Sequence, residues 1–180
     1  MEPSLCNQIA QPVLGSALPP LVTVTLRDDN PWWRGERLFC LPSLRRWAFD
    51  AALSGVQRGL TPATVLRGPR QVGKTTLLNQ VIDALLAQGV AGWRIFRAQF
   101  DELPALRNVT EPILELARWY AATVLQKSFN QAAHDGEQAY LFFDDIQNLP
   151  DWAPQLKHLV DMHLVRKPRQ NLRYISAEIN

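Results

Sequence analysis

The chain has 180 residues, 47% of them hydrophobic, with 19 Lys and Arg against 17 Asp and Glu. That length suits one domain with a substantial core, and a formal charge of +2 is too small to argue by itself for a nucleic-acid or membrane-surface partner. Cys6 and Cys40 have no C-x-x-C pairing, which argues against a disulfide framework or structural zinc site and fits a reducing compartment, by default the cytoplasm.

Residues 1–30 form a Pro-rich segment, read as partly disordered, and residues 31–180 are read as the folded domain. Pro12, Pro19 and Pro20 break any spanning helix there, and Glu2 stands where a signal peptide carries positive charge, so neither a membrane segment nor a targeting signal is read. Residues 21–26, Leu-Val-Thr-Val-Thr-Leu, read as a strand or as part of a loose tail. From Pro42, the run Leu44, Trp47, Ala48, Ala51 and Val56 predicts an amphipathic helix ending near Gly59.

Ala63–Arg67 is short, apolar and β-branched, the pattern of a buried strand, and leads into Gly68-Pro69-Arg70-Gln71-Val72-Gly73-Lys74-Thr75-Thr76. This is a complete G-x-x-x-x-G-K-[ST] phosphate-binding loop. Gly68 and Gly73 are expected to free the backbone so that successive N–H groups turn toward phosphate oxygens. Lys74 is placed for the β and γ phosphates and Thr75 for Mg²⁺. Leu77, Leu78, Val81, Ile82, Leu85 and Leu86 continue at helical spacing to Gly89, so the N-terminus of a helix adds its dipole to the site.

Residues 93–100 predict a second strand. A helix begins near Thr110 with Pro112 in its first turn, and residues 130–138 read as polar connection. Residues 139–143, Ala-Tyr-Leu-Phe-Phe, form an apolar run fit for a fully buried strand, followed by a helix over about 151–163 and a strand at 172–175. The alternation predicts an α/β fold with a parallel sheet covered on both faces. Asp144 would then lie at the carboxyl edge of the sheet, facing the ligand crevice. It is the candidate Walker B aspartate, holding Mg²⁺ with Thr75, and Asp145 is the candidate general base.

With both motifs in view, residues 67–78 and 142–152 resemble the prokaryotic AAA-type P-loop ATPases over about residues 30–165. The resemblance implies an ATP-binding core of the additional-strand type, ATP and Mg²⁺ as cofactors, hydrolysis coupled to a partner or movement, and self-association, with a neighbouring subunit's arginine completing the site. The family carries Asp-Glu where this chain has Asp144-Asp145, so the catalytic carboxylate is one methylene shorter. Beyond Val165 the resemblance fades, as expected of a chain truncated or altered in reading frame there, although a natural short variant would read the same. Ser176 is a poor match to the family's polar sensor residue. Loss of the later strand would leave the phosphate-loop strand as a sheet edge.

Two rival readings stand beside an ATPase that hydrolyses Mg-ATP: a nucleotide-binding module with little hydrolysis, and a P-loop kinase, which would need an acceptor. Guanine recognition is disfavoured, since no Asn-Lys-x-Asp string occurs. The basic clusters Arg45-Arg46 and Arg166-Lys167-Pro168-Arg169 read first as solvated surface, and nucleic acid stays open as a partner. Trp32-Trp33 reads as buried packing ahead of base stacking.

Overall fold

The computed structural model describes residues 18–38, 40–58, 63–164 and 172–178, with backbone alone for 163–164 and 172–178. The strand read at residues 139–143 is β3 (Ala139–Asp144), and all six of its residues are buried. An uninterrupted apolar strand needs cover on both faces, and the pleat shows how it is met. Ala139, Leu141 and Phe143 enter one core, while Tyr140 and Phe142 enter another. β2 (Ile95–Gln99) repeats the division, with Phe96 and Ala98 in the first core and Ile95 in the second.

The first core is closed by α1 (Pro20–Asp29), α4 (Pro112–Tyr120), α5 (Phe129–His134) and α6 (Trp152–Leu164), and the second by α2 (Ala48–Arg58) and α3 (Lys74–Ala87). The result is a three-layer α/β arrangement around a parallel sheet completed by β1 (Ala63–Arg67) and β4 (Leu172–Glu178).

The sheet order is β1-β4-β3-β2. β4 therefore inserts between the phosphate-loop strand and the acidic strand, the additional-strand arrangement, with Ser176 in register with both Val65 and Phe143. β1 is nevertheless an edge of the described sheet even with this later strand in place, because β4 occupies only its inner side.

The two edges are treated differently. Along β2, Asn30 acts as a short substitute strand: its Nδ2 donates to Arg97 O at 2.8 Å and its Oδ1 accepts from Arg97 N at 2.7 Å. Trp32 Nε1 and Trp33 Nε1 both donate to Ile95 O, at 2.9 and 2.8 Å. The tryptophan pair is thus structural, and it closes the strand edge that would otherwise invite pairing. Asn30→Ala should destabilise the fold by about 2–6 kcal/mol, since two buried backbone groups lose their partners at roughly 1–3 kcal/mol each. Chemical denaturation of the two chains measures this, and a loss under 1 kcal/mol would contradict the role.

Four sequence expectations change. Residues 21–26 are helical, within α1, because Val22 and Leu26 join Leu18 in the core and that burial outweighs β propensity. The hydroxyls of Thr23 and Thr25 turn back to Pro20 O and Leu21 O, at 2.8 and 3.1 Å, as helical threonines do. Residues 20–29 therefore belong to the packed domain, while residues 1–17 and the basic run 166–169 lie outside the described residues. Within the supposed connection 130–138 the structure has α5, started by Ser128 Oγ accepting from Gln131 N at 3.2 Å and anchored by buried Phe129 and Ala132. Finally, α2 begins only at Ala48 and buries Phe49, Ala52 and Val56, leaving Leu44 and Trp47 outside it and exposed.

Candidate functional site

β1 delivers the chain into the glycine-rich loop, and α3 begins at Lys74. Gly73 caps the helix with φ of +87°, a conformation that strains any residue bearing a β-carbon. Gly68 takes no such angle; the second left-handed residue of the loop is Gln71, at φ +61°. Pro69, Arg70, Gln71 and Val72 form the exposed rim of the loop, and Thr75 and Thr76 are half-buried in the first helical turn. Lys74 Nζ donates to Gly68 O at 2.9 Å and to Pro69 O at 2.7 Å, so the ammonium is held inside the curve of the loop.

The pleat brings the acidic strand to the same place. Asp144 follows Tyr140 and Phe142 in the alternation, so its side chain is on the face that α3 covers, near enough to the Thr75 hydroxyl to feel its influence. Asp144 is 1% exposed. Its Oδ1 accepts from Asp145 N at 3.2 Å, while Oδ2 is buried with no protein partner. Burial raises the Asp144 pKa above its ordinary value, the nearby Thr75 hydroxyl opposes this, and the charge of Asp145 adds to it.

A buried carboxylate oxygen without a donor, beside a threonine hydroxyl at a helix N-terminus, is a donor set that fits a hard, oxygen-seeking cation. Mg²⁺ keeps most of its own water and asks for only one or two protein oxygens, which Thr75 and Asp144 could supply. Asp145 is half-buried, at φ +54°, with Oδ1 accepting from Gln147 Nε2 at 3.2 Å.

The sequence reading had not picked out Arg97 and Gln99. Gln99 is in register with Asp144, and Arg97, two residues earlier, shares its face and donates to Gln99 Oε1. The 7%-exposed Arg97 exerts a lowering influence on Asp144 and on Asp29, whose pKa is pushed up to about 6 by burial first and by Glu102 second. The available signal was two polar residues at alternate positions of an otherwise apolar strand. A cavity of about 320 Å³ adjoins the loop, lined by Arg46, Trp47, Val65, Val72, Gly73 and Lys74. It also escaped the sequence reading, which had assigned Trp47 to a packed helix face.

The profile of the AAA domain family matches residues 60–176, well over half of the chain. The chain belongs to the AAA domain family. The match runs past Val165, where the resemblance had been taken to fade, and so takes in most of β4. Among solved structures, this AAA domain is similar to C. elegans PCH-2 at 12% identity and a TM-score of 0.38, over 89% of this chain and 38% of that one. The chain therefore spans well under half the length of that protein. No curated protein matches the sequence. Among the described residues, no helix is long and apolar enough to cross a membrane.

Proposed function

We propose that this AAA domain binds Mg-ATP through residues 68–76 and hydrolyses it, with Thr75 and Asp144 at the magnesium ion and Asp145 as general base. Membership of a nucleotide-binding ATPase family supplies the class. The observation that supports the residue assignment is the buried Asp144 carboxylate, with an Oδ2 that no protein group meets, on the sheet face covered by the helix that Lys74 and Thr75 open, directly after a loop whose carbonyls hold Lys74 Nζ.

On binding, Lys74 Nζ would exchange its two carbonyl partners, Gly68 O and Pro69 O, for phosphate oxygens. Mg²⁺ when bound neutralises and polarises the β and γ phosphates. The Asp144 carboxylate is buried, and the hydrogen bond that its Oδ1 accepts from Asp145 N orients it. Asp145 would receive the proton of the attacking water at a carboxylate oxygen, with Gln147 Nε2 orienting the group.

Asp145→Glu should raise ADP release by about tenfold or more, because about 1 Å of misplacement costs on the order of a hundredfold in rate. Single-turnover assays of both chains measure this, and unchanged turnover in a folded variant would remove Asp145 as the limiting group. The second reading, a domain that binds ATP and hydrolyses little, is favoured by the tie between Asp145 and Gln147, which holds a short side chain away from added reach. ADP formation by the unsubstituted chain separates the two, and ADP formed only with a phosphate acceptor would indicate a kinase instead.

A further inference from the structure

Trp47 is 92% exposed, and Leu44 beside it 78%, on a chain whose other tryptophans, at 32, 33, 93, 119 and 152, are engaged in the cores or packed against them. An indole left in water at the mouth of a cavity is a costly placement that a ligand would relieve. The same cavity reaches the glycine-rich loop: Val65 and Val72, 40% and 36% exposed, provide apolar lining, and Lys74 stands at its phosphate end.

Arg46 supplies a second observation. A β-carbon built on Gly73 would lie 3.0 Å from Arg46 Nε and 3.3 Å from Cζ, so the guanidinium rests directly on the loop glycine that starts α3. Among the described residues Arg46 makes no ion pair. Three side-chain cations, Arg46, Arg67 and Lys74, therefore line this cavity beside the positive end of a 14-residue helix, and no acid is among its lining residues, a concentration of charge that calls for an anion. The adjoining indole and valines call for a flat apolar group. Together they describe one ligand, a planar base joined to a polyphosphate.

We infer that the turn before α2 is the base side of the nucleotide site: the Trp47 indole stacks on the nucleobase, and the Arg46 guanidinium leaves Gly73 to contact a phosphate from outside the glycine-rich loop. This rests on the nucleotide reading above and adds to it a residue, Trp47, that distinguishes a nucleotide from bare polyphosphate and a further phosphate contact, Arg46. Stacking on an aromatic side chain accepts any base, so discrimination among nucleobases by Trp47 is weak while the requirement for a base is strong. The guanidinium is suited to paired contacts with phosphate oxygens, which the ammonium of Lys74 cannot make.

The test is calorimetric titration of ATP and of inorganic tripolyphosphate, each with magnesium, into the unsubstituted chain, Trp47→Ala, Trp47→Phe and Arg46→Gln. Both side chains are exposed, so none of these changes removes core packing. Trp47→Ala should weaken ATP by roughly tenfold or more and leave tripolyphosphate within about twofold, with Trp47→Phe restoring most of the loss. Arg46→Gln should weaken both ligands by about tenfold. ATP affinity unchanged in Trp47→Ala, while Lys74→Ala abolishes it, would overturn the base assignment and leave the phosphate loop standing. Unchanged tripolyphosphate affinity in Arg46→Gln would overturn the phosphate contact. An unsubstituted chain that binds neither ligand would overturn the nucleotide reading and this inference with it.

Discussion

Lys74→Ala should leave a folded chain whose affinity for Mg-ATP is lower by about two to four orders of magnitude. The expectation follows from two charge-assisted contacts, to the β and γ phosphates, at roughly 1.5–3 kcal/mol each. The fold should tolerate the change, because the Lys74 side chain is half-buried and its two hydrogen bonds go only to Gly68 O and Pro69 O of its own loop. Those carbonyls sit beside an exposed rim, where water replaces the lost donor. Calorimetry with circular dichroism as a folding control measures both effects. Retained affinity in a folded variant would mean that phosphate is bound without the lysine and would contradict its proposed role.

Asp144→Asn should separate function from stability. Replacing the carboxylate by its neutral near-isostere removes a magnesium anchor, so the apparent magnesium requirement for turnover should rise by roughly 10–100-fold. The same change removes a charge from a position that is 1% exposed and whose Oδ2 has no protein donor. In magnesium-free buffer at neutral pH the variant should therefore melt above the unsubstituted chain, since a buried ionised group without full hydrogen bonding costs stability. Opposed shifts of this kind are the mark of a residue kept for chemistry at the expense of the fold. A variant that is both less stable and unimpaired in magnesium dependence would instead assign Asp144 a structural role.

The parts of the fold that could be read in advance are those where chemistry or burial acts locally. The phosphate loop is legible because the left-handed turn at Gly73, the Lys74 charge and the Thr75 hydroxyl must stand at fixed spacing in the chain. β3 is legible because a strand covered on both faces admits no polar residue between Ala139 and Phe143. The helix α1 was not, since Val22 and Leu26 are β-favouring or neutral until Leu18 and the outer face of β2 give them a common side to bury. Arg97 and Gln99 were missed for a related reason: their importance lies in a register with Asp144 across more than 40 residues of chain, and no window of sequence contains it. The helix expected from Pro42 begins six residues before α2 does, which is why the spacing of Trp47 from Ala51 suggests a packed face that the structure does not give it. The placement of β4 between β1 and β3 is likewise a property of the assembled sheet, expected only from the family resemblance.

The most direct single measurement is calorimetric titration of the unsubstituted chain with a non-hydrolysable ATP analogue, with and without magnesium. Saturable binding at one site, tightened by magnesium, is expected from a loop that encloses Lys74 beside the Thr75–Asp144 pair. A folded, monodisperse chain that takes up no analogue, or takes it up identically without magnesium, would contradict the assignment of this site.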